Sequence, residues 1–599
     1  MRFLSTLLAS VLGTLLALGA IFVFLILFIF ALSLSADPTP SVASESVLKI
    51  DLSGPVPERA ASDPLAQAFG EAPKFDLTDV NSALRKAAAD DRIEGVWLRV
   101  RGAGSGWARL GDIRESIETF KESGKPVFAS GTDAGINEQG LYLASAADHV
   151  FMPPISPFQM NGFYITQPFF GNALERLDIE PKIVRVGDFK SAVEPFERED
   201  LSEENELQLS ELLSSQNDQF NRGVGEGRGL GADEIQRIAT ENPILDSESA
   251  LEAGLIDALR YPDEIEGFIE DELGVSGSLN TVPVHRYANV PASDAGLEVT
   301  AEGSVAVVYA EGNIVPGKSQ DDPFGGTGAS VGSETFVDAI DQARTSSDIQ
   351  AIVVRVNSPG GSAAASEVMW RAIQRAADEK PVVISMGDLA ASGGYYLAVG
   401  ASDIVAQENT ITGSIGVFGL LFNTGSFFEN QLGVTFDGVE TSPYADIYSG
   451  LKPFTGDQRE RLEASLDRTY DTFLQRVADG RNMERADVEA VSAGRVWSGR
   501  DAKEVGLVDD IGGLSHAIER AAEAAEMGEG PYRIQILPRP KTFIERFSES
   551  FSASAHSQLM RWNTTPIERE WIEQQEALQR MIGTHGTIQA RLPVDIRFE

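Results

Sequence analysis

The sequence predicts an α/β protein: a tandem duplication of one domain built on a parallel sheet, preceded by a single N-terminal transmembrane helix. Three observations carry that reading. Segments recur at an offset near 255 residues, apolar strand-length runs alternate with helical periodicity, and no charged residue lies between Arg2 and Asp37. At 599 residues the chain is too long for one ordinary core. With 42% hydrophobic and 23% charged residues, its composition is that of a globular protein.

The N-terminal element comes first. Phe3–Ala36 carries no charge, and Ile21–Ala31 reads IFVFLILFIFA. A membrane span needs about 20 apolar residues. A cleavable signal has an apolar core of roughly 7–15. Ala31-Leu-Ser-Leu-Ser-Ala36 mimics a cleavage site, but the apolar run is too long for a signal. Residues 1–36 are therefore expected to be an uncleaved anchor. Positive charge before it and none directly after place the N-terminus inside and the bulk outside, as in a single-anchor bacterial protein. Pro38–Ser46 reads as a linker.

The charge balance narrows the function. A net charge of −41 argues against nucleic-acid binding. The absence of cysteine excludes disulfide scaffolds, thiol catalysis and zinc–thiolate sites, and fits an oxidising compartment. His149, His285, His516, His556 and His585 show no metal-ligand spacing, so neither metal nor cofactor is expected.

The duplication is read from matched segments. Ile93–Val100 (IEGVWLRV) recurs as Ile349–Val356 (IQAIVVRV), and Lys125-Pro126-Val127 as Lys380-Pro381-Val382. Tyr142-Leu-Ala144 recurs as Tyr396-Leu-Ala398, and Leu251–Asp257 as Lys503–Asp509. In the second copy, Val305–Ala310, Ala351–Val356 and Val382–Ser385 read as buried strands. Glu334–Arg344 and Ala364–Ala377 read as helices between them. Such alternation implies a parallel sheet covered on both faces. Asp457–Gly480 is a long amphipathic helix, with Leu462, Leu466, Tyr470, Phe473 and Val477 on its packing face.

The copies differ where chemistry is expected. After Val382–Met386, the second copy runs Gly387-Asp-Leu-Ala-Ala-Ser392-Gly393-Gly394, read as a strand, a small-residue turn and a helix. A serine there projects its hydroxyl past the sheet edge, and Gly393 offers an unobstructed N–H. A plain packing turn is the competing reading. The Tyr-Leu-Ala anchor puts Glu138 at the same place in the first copy. Asn357-Ser-Pro-Gly360-Gly361-Ser362 offers a second N–H donor, from Gly361 or Gly360, unless it is an ordinary glycine turn. No histidine lies near. The first copy supplies Gly187-Asp-Phe-Lys190-Ser-Ala-Val-Glu194-Pro-Phe196, whereas the second has Tyr448 at the lysine's place. That reciprocal loss suggests one composite Ser–Lys site, with a base only if burial brings the lysine toward neutrality. Ser414, in Thr412-Gly-Ser-Ile-Gly416, is either a partner for the amine or a turn serine.

These segments resemble the signal peptide peptidase A family in its long, duplicated form: serine peptidases with the Clp protease–crotonase fold. The resemblance rests on Gly187–Phe196, Asn357–Gly361, Ala391–Gly394 and Thr412–Gly416, and spans roughly residues 1–530. It implies Ser392 as nucleophile, Lys190 as general base, Ser414 as the residue orienting the lysine, and Gly393 and Gly361 as backbone oxyanion donors. It further implies a homotetrameric bowl on the periplasmic side of the inner membrane. That assembly would degrade remnant signal peptides and similar extended apolar peptides, preferring a small or medium side chain at the cleavage position. The expected organisation is an anchor (1–36), a first repeat (46–290) supplying the lysine, a second (300–530) supplying the serine, and a tail (538–599) without an assigned role.

Three other readings compete with this one. Gly312-Asn-Ile-Val-Pro-Gly317-Lys318-Ser319 fits the phosphate-loop pattern literally, but Gln320-Asp-Asp-Pro323 opposes both a helix and a phosphate. A non-catalytic membrane scaffold would leave Ser392 unlabelled by acylating probes. CoA-thioester chemistry on the same fold gives the Ser–Lys pairing no role.

Overall fold

The computed structural model describes residues 41–59 and 75–539, apart from 103, 242, 276, 298–302, 320–329 and 529, together with residues 13, 14, 17, 19 and 589–591. The expected anchor lies outside the described residues except for those four helical positions, as does most of the tail. Among the described residues no helix is long and apolar enough to cross a membrane.

The two repeats share one order of parallel strands, and in the second the sheet also runs through Ile411–Gly413 to an antiparallel edge, Val496–Ser498. In the first, Ser46–Leu52 lies between Ile93–Val100 and Asn280–Pro283. Beyond Ile93–Val100 follow Val127–Gly131, His149–Met152 and Ala258–Leu259. In the second, Ser304–Glu311 lies between Ile349–Ser358 and Arg533–Leu537, and Val382–Ala391, Asp403–Ala406 and Asp510–Ile511 follow in register. The edge strand Arg533–Leu537 mirrors Asn280–Pro283 and lies past residue 530, the expected end of the second repeat.

Burial explains the continuous apolar runs. Along Ser304–Glu311 and Ile349–Val356, Ala306, Val308, Ala310, Ile352, Val354 and Val356 face one core, which helices Ser333–Thr345 and Ala363–Ala377 cover with Phe336, Ile340, Met369 and Ile373. The alternate residues Val305, Val307, Tyr309, Ala351 and Val353 face a second core under helix Leu514–Ala524. With both faces covered, a strand needs no polar alternation. The long helix runs Gly456–Arg481, begun by a Thr455–Gln458 capping box and ended by Asn482 in the left-handed region. Its Leu466, Phe473 and Val477 are buried, and Leu462 and Tyr470 partly so.

One element departs from expectation. The segment after Met386 is not a small-residue turn, because the strand continues to Ala391. Leu389–Ala391 pairs with Ile411–Gly413. The small side chains serve a buried ladder rather than a bend.

Among the contacts that join the repeats are a shared sheet and a buried ionic cluster. A third sheet pairs first-repeat strand Glu180–Val186 antiparallel to second-repeat strand Val417–Asn423 over seven residues. The same sheet contains Gly360–Ser362 and, between Gly360–Ser362 and Val417–Asn423, the tail strand Gln589–Arg591. The second junction is ionic. Fully buried Arg355 donates to both Glu58 carboxylate oxygens at 3.0 Å and to Asp112 at 2.9 Å. Asp112 also accepts from the Gln407 amide at 3.0 Å. Burial pushes its carboxyl up to about 6 despite Arg355.

Candidate active site

The lysine sits at the end of the arm strand Glu180–Val186. Gly187, at φ +106°, turns the chain where a Cβ would fall 2.4 Å from Ala493 carbonyl atoms. The Phe189 N–H donates to Ala493 O at 2.9 Å, and Lys190 begins a short 3-10 turn, Ser191–Val193. Across from it, Gly494 approaches so closely that its Cβ would lie 2.5 Å from the Lys190 backbone nitrogen. The lysine is therefore walled in by second-repeat backbone and has no solvent exposure.

Its amine meets three oxygens: Ser392 Oγ at 2.7 Å, Ser414 Oγ at 2.9 Å and Ser414 O at 3.0 Å. Burial lowers its pKa well below the ordinary lysine value, and no carboxylate opposes that shift.

Ser392 follows the last strand residue at φ 53°, ψ −111°, a conformation rare for a non-glycine residue. Its N–H is held by Gly413 O at 2.8 Å, and its C=O accepts the Tyr396 N–H at 2.8 Å, starting helix Gly393–Ala398. The side chain is thus displayed from a fixed elbow. Gly393 opens the helix, so its N–H belongs to the first-turn donors that have no intrahelical acceptor. Ser414 also lies at positive φ (53°), with its N–H on Arg495 O at 2.7 Å.

Of the two candidate glycines after Ile349–Ser358, Gly360 already donates its N–H to Ser358 Oγ at 3.1 Å. Gly361 lies in the same three-residue strand, Gly360–Ser362, opposite Ile314, where a Cβ would come within 2.1 Å of Ile314 O. The phosphate-loop lookalike supplies that neighbour. Asn313–Val315 is a strand beside Gly360–Ser362, and no helix opens before Ser319.

The first repeat's counterparts have drifted. Gly140 and Gly394 share one packing role, against Arg101 O and Ser358 O respectively, which keeps Glu138 opposite Ser392. The Glu138 carboxylate accepts the Asn161 N–H at 2.9 Å, and burial raises its pKa. Tyr448 is half-exposed. The Lys190–Ser392 contact therefore spans the repeats within one chain.

Several supporting residues escaped the sequence reading. Buried Glu194 accepts from Ser202 Oγ at 2.6 Å and Asn205 Nδ2 at 3.1 Å, pinning the lysine loop to helix Glu203–Arg228. Gln208 bridges the repeats: its amide donates to Ser191 Oγ at 2.9 Å and its carbonyl accepts the Val496 N–H at 3.2 Å. Asp388, four residues before Ser392, accepts the Arg109 N–H at 3.0 Å and ion-pairs with the Arg109 guanidinium. The motif Ser202-x-x-Asn205 at a helix start was a legible capping signal. The inter-repeat partners carried none. Among the described residues no cluster of His, Asp and Glu is arranged to hold a metal.

Fold and contact together define a class: a duplicated α/β protein whose serine hydroxyl and buried lysine amine come from opposite copies. Comparison with known proteins gives that class its family. The model of peptidase family S49 matches residues 119–276 and 374–528, equivalent stretches of the two repeats. The chain is 34% identical over 516 residues to "Serine protease SPPA, chloroplastic" of Arabidopsis thaliana, covering 85% of this chain and 74% of that protein. It is 31% identical over 538 residues to "Protease 4" of Salmonella typhi, covering 86% and 84%. "Protease 4" of Haemophilus influenzae is 32% identical over 505 residues, covering 81% and 80%. The chain belongs to peptidase family S49, in its long, duplicated form, and is a serine protease.

Proposed function

We propose that the chain is a membrane-anchored endopeptidase with a Ser392–Lys190 dyad. Its substrates are cleaved signal peptides and similar extended apolar peptides on the periplasmic side of the bacterial inner membrane. The observation that carries the dyad is the 2.7 Å approach of the buried Lys190 amine to Ser392 Oγ.

A neutral amine has two N–H donors and one lone pair. Ser414 offers two acceptors, Oγ and the carbonyl, which takes up both donors and leaves the lone pair for the Ser392 hydroxyl. On attack, Ser392 Oγ bonds to the peptide carbonyl carbon and its proton passes to Lys190 Nζ. The carbonyl oxygen takes the negative charge against the N–H groups of Gly393 and Gly361. As the C–N bond breaks, the ammonium gives its proton to the leaving amine. Lys190 then deprotonates a water that hydrolyses the acyl ester, and the proton returns to Ser392.

The Phe3–Ala36 run supports the anchor, and the absence of cysteine is compatible with the periplasm. Exposed Leu432, Val434, Phe436 and Val439, close together in the chain, fit a surface covered by another copy, and the family resemblance makes the assembly a homotetramer. The deciding experiment is hydrolysis of apolar peptides by Ser392→Ala and Lys190→Met. Each substitution should remove turnover while the melting curve stays cooperative. Turnover retained by either purified variant contradicts the dyad.

A further inference from the structure

Between the lysine's loop and the strand that anchors Ser414 lies one side chain that hydrogen-bonds to neither reacting group. Gln208 stands in the second turn of helix Glu203–Arg228 and is 1% exposed. Its amide nitrogen donates to Ser191 Oγ at 2.9 Å and Asn205 Oδ1 at 3.0 Å, with Phe189 O a longer third acceptor at 3.3 Å. Its carbonyl oxygen accepts the Val496 N–H at 3.2 Å. A backbone N–H can only donate, so Val496 fixes which end of the amide faces the second repeat.

The chain neighbours of these partners make up the site. Phe189 and Ser191 flank Lys190. Val496 follows Arg495, whose carbonyl holds the Ser414 N–H at 2.7 Å. Val496 also stands opposite Gly413, whose carbonyl holds the Ser392 N–H at 2.8 Å. One amide thus joins the base's loop to the backbone that carries both serines. The charged groups on these elements are paired elsewhere: Glu194 accepts from Ser202 and Asn205, and Arg495 ion-pairs with Glu211. The fold itself does not require the bridge. Aligned on their N-caps, Ser202 and Thr455, the matching helices place exposed Arg461 where Gln208 stands, and Arg461 lies over the Tyr444 ring at 4.6 Å.

We propose that Gln208 is a positioning residue for the reaction, fixing where the Lys190 amine stands relative to Ser414 and Ser392 by tying their backbones together. This rests on the reading of Ser392 and Lys190 as the catalytic pair. Without the amide, the Val496 N–H and the Ser191 hydroxyl each lose a partner, and the loop can part from the strand. A misplacement of about 1 Å at a reacting centre costs on the order of a hundredfold in rate. It also admits water to the amine, whose pKa then moves back up toward the ordinary lysine value.

Gln208→Met, measured beside Gln219→Met, tests this. Gln219 lies about 16 Å further along the same helix and accepts from Asn409 Nδ2. Its loss also removes a buried hydrogen bond between the repeats, but none in the lysine's loop. Both variants should unfold at lower urea than wild type. For an internally quenched apolar octapeptide, Gln208→Met should lower kcat by about tenfold to a hundredfold with KM unchanged. The midpoint of its pH–rate profile should move up. Gln219→Met should keep the wild-type kcat and midpoint. Ser191→Ala removes only one end of the bridge and should change both in the same direction as Gln208→Met. Combined with Gln208→Met, it should lower kcat little further. A wild-type kcat and midpoint in Gln208→Met, or an equal loss in Gln219→Met, overturns the proposal and leaves the dyad standing. If Gln208→Met does not fold, Ser191→Ala decides, and an unchanged kcat and midpoint there overturns it. If the wild-type chain neither hydrolyses peptide nor is labelled at Ser392 by an acylating probe, the catalytic reading fails and the positioning role falls with it.

Discussion

In the proposed dyad Lys190 sets the chemistry, because burial without an opposing carboxylate lowers its pKa well below the ordinary lysine value. Two outcomes follow from that one shift. First, kcat/KM should rise with pH as Lys190 loses its proton, with a midpoint well below 10.5. A pH–rate profile flat from pH 6 to about 10 contradicts this. Second, the folded-state pKa is depressed, so the unfolded chain binds a proton that the folded chain does not. Stability therefore rises with pH between the folded value and the unfolded value of about 10.4. Lys190→Met removes this penalty. It should unfold at higher urea than wild type at pH 6–7, with the difference closing as pH approaches about 10, while turnover drops by about a thousandfold or more. Ser414→Ala leaves the amine one acceptor short. It should lower kcat and shift the pH midpoint without altering the melting temperature greatly.

At the scale of elements, the sequence resolved whatever was periodic and blurred whatever was special. Helix Gly456–Arg481 and helix Ala363–Ala377 were each foreseen to within one residue at either end, because a single apolar stripe and clear caps mark them. The strands Ser304–Glu311 and Ile349–Ser358 were legible as unbroken apolar runs. The strand leading to Ser392 was read as ending at Met386, since Gly387-Asp-Leu-Ala-Ala has neither strand propensity nor periodicity; pairing with Ile411–Gly413 overrides that. Gly361 was found as a glycine, but its strand was not, because a three-residue strand leaves no pattern. Its constraint is steric: Gly361→Ala places a methyl 2.1 Å from Ile314 O. That variant should lose peptide hydrolysis through a displaced Gly360–Ser362 strand, measured beside an unchanged helical circular dichroism signal.

At the scale of the molecule, neither repeat has a site alone. The duplication was visible in matched segments, and the reciprocal loss of serine and lysine pointed to a composite. The devices that align the halves were not visible, because each depends on a partner some two to four hundred residues away. Arg355 is one of them, and its match in the first repeat, Arg99, forms a surface ion pair with Asp51. Arg355→Met strands Glu58 and Asp112 as buried carboxylates and should cost about 3–5 kcal/mol in urea unfolding. The Lys190 amine and the Ser392 hydroxyl meet within one chain. Mixed assemblies of Ser392→Ala and Lys190→Met chains should therefore regain no turnover. The most direct measurement is the rate at which a fluorophosphonate acylates the native protein, mapped by mass spectrometry across pH. The account predicts a single adduct on Ser392, forming faster as pH rises through a midpoint well below 10.5 and lost in Lys190→Met. An adduct elsewhere, or wild-type labelling of Ser392 in the Lys190→Met protein, would contradict it.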